Sequence, residues 1–232
     1  SDMDVLIYTR NHTPDGKGFV HDNIAASVAA LRELCAAHGL KAEASDDPAL
    51  FTEARLKGLK AILFANSNNE AFATDAQRGA LLDYVYRGGA FMGLHSATGS
   101  ERRSEAFRRL LGGRFLWHPP LQPFTMRVND RRHPATAHLS ATWAWTDEAY
   151  VCDCTPDIHV LLEIETASLQ KKPRDKRLDS LRNGRFPLAW CRRHGAGRVF
   201  YTALGHLKTH YQDPAFRTHL IQGLRWSMTV NA

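Results

Sequence analysis

Three histidines in this 232-residue chain each follow an apolar run of the kind that forms a buried strand: His21 after Val5-Leu6-Ile7-Tyr8, His95 after Ala90-Phe91-Met92, and His206 after Arg198 through Leu204. Parallel neighbouring strands deliver whatever follows them to one crevice at the carboxyl edge of their sheet. The three imidazoles are therefore expected to share a site, with His21 depending on the course of a polar loop. His118, in Phe115-Leu116-Trp117-His118-Pro119-Pro120, and the pair Asp147-Glu148 are further candidates. Neutral imidazoles with one or two carboxylates suit zinc, manganese or iron, and the expected ligand set is His21, His95, His118, Asp147 and His206. The same kinds of group can move protons, and His95, Glu148 and His206 are the expected catalytic residues. A plainer reading competes at each position. The chain has 12 histidines, no His-x-x-x-His pair brackets a Glu on a helix, and Asp147-Glu148 could be a solvated turn.

The stretch that would position this chemistry is Gly88-Gly89-Ala90-Phe91-Met92-Gly93-Leu94-His95-Ser96-Ala97. A glycine pair can close the preceding helix, an apolar strand follows, and small residues then permit a sharp turn into another helix. Such an elbow lifts one side chain above the sheet edge, here His95. The positive end of the following helix should hold that imidazole neutral. The alternative is a capping turn with an incidental histidine.

The remaining elements alternate. Val5-Leu6-Ile7-Tyr8 is a first strand, and Asp22 or Asn23 can cap a helix from Ile24 to His38 that ends at Gly39. Leu40 to Ala44 and Leu59 to Ala65 read as strands, and Thr74 or Asp75 starts a helix. Strands alternating with helices argue for a doubly wound, parallel α/β sheet. After a helix near Glu105 to Leu111 the pattern changes. Phe115 to Pro120 reads as an aromatic loop, Phe124 to Val128 as a half-exposed strand, and Pro187 to Cys191 with Arg198 to Leu204 as a hairpin around Gly195 and Gly197. A last helix runs from about Asp213 to Ser227. His159 and His219 are expected at the surface or core edge. No domain boundary stands out, so residues 3–229 are expected to form a single domain.

Composition narrows the function classes. Hydrophobic residues at 44% and charged residues at 23% describe an ordinary globule, and no stretch approaches the roughly 20 apolar residues that cross a membrane. The four cysteines lack a disulfide framework and the N-terminal residues lack a signal-peptide pattern, so a cytoplasmic location is expected. The formal charge of +6 is concentrated between Gln170 and Arg185, where no aromatic residue interleaves the cations. A mobile, protease-sensitive insertion is expected there, not a nucleic-acid surface.

Taken in order, the elbow, Phe115 through His118-Pro119, His133-Pro134, Asp147-Glu148-Ala149-Tyr150, Pro187-Leu188-Ala189-Trp190, Gly197 through His206, Tyr211 to Phe216 and Gly223-Leu224-Arg225-Trp226 resemble the trehalose-utilisation (ThuA-like) family over nearly the whole chain. The resemblance implies a flavodoxin-like, class I glutamine amidotransferase-like three-layer sandwich with a mainly parallel central sheet. It also implies carbohydrate metabolism, on glycosides or their 3-keto forms, by elimination, hydrolysis or isomerisation. His95 stands where amidotransferases carry their elbow cysteine, so cysteine-dependent amidotransfer is not expected. The expected substrate-binding residues are His21, Ser96, Trp117, His118 and Tyr150, and the expected partner is a small-molecule carbohydrate, with homo-oligomerisation left open. The competing function is a non-catalytic sugar-binding or regulatory protein on the same fold.

Overall fold

The computed structural model describes residues 2–170 and 185–229. The basic stretch between Gln170 and Arg185 therefore lies almost wholly outside the described residues. Eleven strands are described, nine of them in one sheet. β1 (Val5–Tyr8), β2 (Ala42–Ser45), β3 (Ala61–Ala65), β4 (Ala90–Leu94) and β11 (Gly197–Thr202) pair in parallel in the order β2-β1-β3-β4-β11. Their uninterrupted apolar composition is the reason. Ala61–Ala65 and Ala90–Leu94 are buried at every position because helices cover both faces.

One layer contains α1 (Ile24–Ala36) and α5 (Pro214–Met228), which pack on each other and on the parallel strands. Opposite lie α3 (Asp75–Tyr86) and α4 (Glu105–Leu111), with the short α2 (Glu53–Leu56) beside α3. Thr74 starts α3 through a reciprocal capping box with Gln77, and Asp213 starts α5 by accepting from Phe216 N–H. Asn23 precedes α1 without capping it. Its amide instead donates to Asn66 Oδ1 and to the carbonyls of Gly205 and His206, so the residue expected to start a helix ties three segments together.

The fold class is the expected α/β sandwich, and the strands expected at Phe124 to Val128 and Pro187 to Cys191 are present, but β7 and the antiparallel order of the second half were not read from the sequence. β10 (Pro187–His194), β9 (His159–Ile164), β6 (Gln122–Val128) and β7 (Thr142–Asp147) extend it antiparallel from β11. Thr142–Asp147 reads Thr-Trp-Ala-Trp-Thr-Asp, and its buried positions Trp145 and Asp147 alternate with exposed ones, the period-two signal of a strand with one face covered. Part of the expected aromatic loop is β5 (Gly113–Trp117), paired with β8 (Val151–Cys154), and the loop proper begins at His118. The hairpin around Gly195 is as expected, with His194 opposite Gly197 and Gly195 at φ +58°. His219 is a correction: it is fully buried, with Nδ1 and Nε2 against Ala135 O and Thr202 Oγ1. Among the described residues, no helix is long and apolar enough to cross a membrane.

Candidate functional site

The chain leaves β4 through His95, whose φ of +52° lies in the left-handed region, uncommon for any residue but glycine. Tyr201 Oη holds this turn from below by donating to His95 O at 2.6 Å. The elbow exists, but it opens into a single 3-10 turn, His95–Gly99, and not into an α-helix. So short a turn carries little dipole, and the imidazole is set by hydrogen bonding instead. His95 Nδ1 lies 2.6 Å from Ala203 O, a partner that can only accept, so Nδ1 carries the hydrogen and Nε2 presents its lone pair when the ring is neutral. β4 and β11 are parallel neighbours, which is why the segment after β11 reaches His95.

Around Nε2 the other groups converge. Tyr150 Oη is 3.0 Å away and Glu148 Oε1 is 3.3 Å away. Glu148 Oε1 also lies 3.0 Å from His206 Nδ1, and Glu148 Oε2 lies 3.1 Å from His118 Nε2. The His21 ring sits 4.9 Å from that of His95 and 5.5 Å from that of His206. His21, His95, Glu148 and His206 can each offer one ligand atom with all four atoms within 4.8 Å of one another. His118 completes the site from outside this quartet, its Nδ1 donating to Pro119 O at 2.8 Å.

Two expected members take other parts. Asp147 is adjacent to the site but its carboxylate is consumed: it accepts from Trp145 Nε1, Glu148 N and Gly205 N. Glu148 supplies the carboxylate in its place. Trp117 packs half-buried against the core, whereas Phe115 is the ring beside Tyr150 and His118, at 4.6 and 6.0 Å. A register shift in the β5–β8 pairing falls between Phe115 and Trp117, and sequence alternation gives no warning of it. Tyr150 stacks on His95 at 4.3 Å, and Ser96 is buried with its hydroxyl unpartnered among the described residues.

The electrostatics follow from burial. Burial alone would raise the Glu148 pKa, but the contacts with His206 and His95 outweigh it and hold the carboxyl well below its usual range. Contact with that carboxylate raises His206. Burial, helped by repulsion from His95 and His206, pushes His21 down to about 3, so it stays neutral. Burial also lowers His219 to about 3 and His133 to about 4.

These three histidines are neutral when folded and bind a proton near their ordinary 6.5 when unfolded, so stability falls as pH drops below that value. Glu148 acts in the same direction at lower pH. His206, raised, opposes it: its stabilisation is present below 6.5 and lost as pH rises through its folded value. In chelator, unfolding free energy from urea melts is expected to decrease from pH 6.5 to 4.5. His219→Gln should flatten that slope by about 1.4 kcal/mol per pH unit, one proton's worth. An unchanged slope would contradict the burial-neutral assignment.

Comparison with known proteins agrees with this architecture. The family model ThuA, described as trehalose utilisation, matches residues 4–227. A ThuA-like protein from Bacteroides uniformis is similar in structure over 97% of this chain and 91% of its own, with 23% identity and a TM-score of 0.76. Another from Parabacteroides merdae covers 99% and 91%, with 18% identity and a TM-score of 0.74. A β-galactosidase from Bacillus circulans sp. alkalophilus contains the same fold: 98% of this chain matches 31% of that one, at 12% identity and a TM-score of 0.60. At these identities the likenesses show the fold alone. A search of curated proteins finds no match.

Proposed function

Because the chain belongs to the ThuA, or trehalose-utilisation, family, with the carbohydrate-related role this suggests, we propose that it is an enzyme acting on a glycoside oxidised at C3, with His21, His95, Glu148 and His206 as a divalent-metal site. One observation carries the reading. His21 Nδ1 and His206 Nδ1 are buried without a hydrogen-bond partner among the described residues, although His206 Nδ1 lies only 3.0 Å from Glu148 Oε1. A contact that close but off the hydrogen-bond direction, beside the His95 lone pair, is what atoms aimed at a common cation would show. Three imidazoles and one carboxylate fit zinc, manganese or iron. A sugar-binding role without chemistry gives no reason to bury partnerless imidazoles together.

A bound metal would supply Lewis acidity at a sugar carbonyl or enolate oxygen. The chain's own groups account for the proton steps. Glu148 faces three imidazoles and is one of the four residues that would hold the metal, so the proton steps fall to His118. That ring keeps Nδ1–H on Pro119 O, is about one-third exposed, and has Glu148 Oε2 3.1 Å from its Nε2, an acceptor for the hydrogen that Nε2 gains. A ketone at C3 acidifies the C2 hydrogen. His118 Nε2 takes that proton, the resulting electron pair forms the C1–C2 double bond as the C1–O bond breaks, and the imidazolium returns a proton to the departing oxygen. Burial raises the Tyr150 pKa well above the ordinary value, so its hydroxyl keeps its proton; it donates to His95 Nε2 at 3.0 Å and would be released to an oxygen of the substrate when a metal takes that lone pair.

Purified protein is expected to contain about one equivalent of a transition metal by elemental analysis and to release the alcohol from a 3-keto-glycoside, but not from the parent glycoside. Protein that holds no metal and takes up none, together with an unreacted keto-sugar, would refute the reading.

A further inference from the structure

Glu148 follows β7 and His206 follows β11, yet in the sheet order β11-β10-β9-β6-β7 these strands lie four places apart. No ladder between them can set the 3.0 Å separation of Glu148 Oε1 and His206 Nδ1. Asp147 crosses the gap. It is fully buried; Oδ1 accepts from Glu148 N at 2.8 Å, and Oδ2 accepts from Gly205 N and Trp145 Nε1, both at 2.9 Å. Each backbone partner belongs to, or directly precedes, a member of the metal quartet. Gly205 can present its N–H because it sits at φ +112°, where a Cβ would also meet Tyr211 Oη at 2.6 Å. His210 is a second strut: Nδ1 accepts from Leu207 N at 3.1 Å and Nε2 lies 2.8 Å from Thr146 O.

We propose that Asp147 is the positioning residue of this site, one carboxylate that fixes Glu148 and His206 at ligand spacing without touching the ligand itself. The proposal rests on the functional reading above. It explains why a carboxylate is required. Three N–H donors face two oxygens, whereas an amide would accept on one oxygen only and turn its own N–H groups toward a donor. Trp145, which shares a face with Asp147 in β7, adds a third donor on the oxygen that takes Gly205 N and satisfies the buried carboxylate without tying either ligand segment.

The test compares Asp147→Asn with Trp145→Phe, which removes one donor to the carboxylate but leaves both ties. Zinc affinity is measured by calorimetry, and the Glu148–His206 separation in crystals of the metal-free proteins. Asp147→Asn is expected to bind zinc at least about tenfold more weakly, within the range found when groups that orient metal ligands are removed, and to widen the separation beyond 3.0 Å. Trp145→Phe should lower the melting temperature while leaving zinc affinity and the separation as they were. If the Asn variant does not fold, Asp147→Ser, which keeps one acceptor, is read in the same way. Unchanged affinity and separation in the Asp147 variant would overturn the proposal, as would an equal loss in Trp145→Phe. If the wild-type protein takes up no zinc, the ligation reading fails, and the separation in the metal-free crystals alone decides the role of Asp147.

Discussion

Glu148→Gln is expected to lower turnover of a 3-keto-glycoside by at least about a thousandfold while leaving the protein folded. The change is nearly isosteric, yet it removes the charge that three histidines face: His95 at 3.3 Å, His206 at 3.0 Å and His118 at 3.1 Å. An amide cannot neutralise a cation, and its N–H groups would hydrogen-bond the imidazole lone pairs that the metal would use. The loss should appear in kcat and in metal content together, with far-UV circular dichroism unchanged. A variant that keeps its metal and its rate would remove Glu148 from the site. His95→Ala is a poorer probe than its position after a strand suggests. The ring is fully buried, stacked on Tyr150 and bonded to Ala203 O, so truncation would also leave a cavity and an unsatisfied carbonyl.

Leu63→Asp is expected to destabilise the protein by about 3 kcal/mol or more. Leu63 is fully buried at the centre of β3, opposite Ile7 of β1 on one side and Met92 of β4 on the other. Nothing polar in that layer can pair with the new carboxylate. Urea unfolding reads the effect directly, and a midpoint close to the wild-type value would show that the centre of the sheet yields far more easily than its packing indicates.

How much of the site could be read beforehand depended on which residues the chain alone constrains. His21, His95 and His206 were legible because each follows an apolar run, and runs of that kind become parallel strands whose ends coincide. His118 and Glu148 were legible as candidates but not as partners of each other. The chain brings them together only after β6 and β7 fold back antiparallel, a path that no local pattern specifies. The orientation of His95 was assigned to a helix dipole, whereas a carbonyl 108 residues away along the chain sets it.

By itself the sequence determined the alternation of strands and helices, the elbow after β4 and the set of imidazoles at the strand ends, because hydrophobic periodicity and glycine placement act over a few residues. Tertiary structure alone decided the division of labour between Asp147 and Glu148. Neighbours at the end of an extended segment point to opposite sides, so one carboxylate had to face inward and the other the site, and the chain reads the same either way. What selects Glu148 for the site is the arrival of Gly205 N–H at the Asp147 carboxylate. This contact spans 58 residues of chain and four places in the strand order, and it forms only once the sheet is complete.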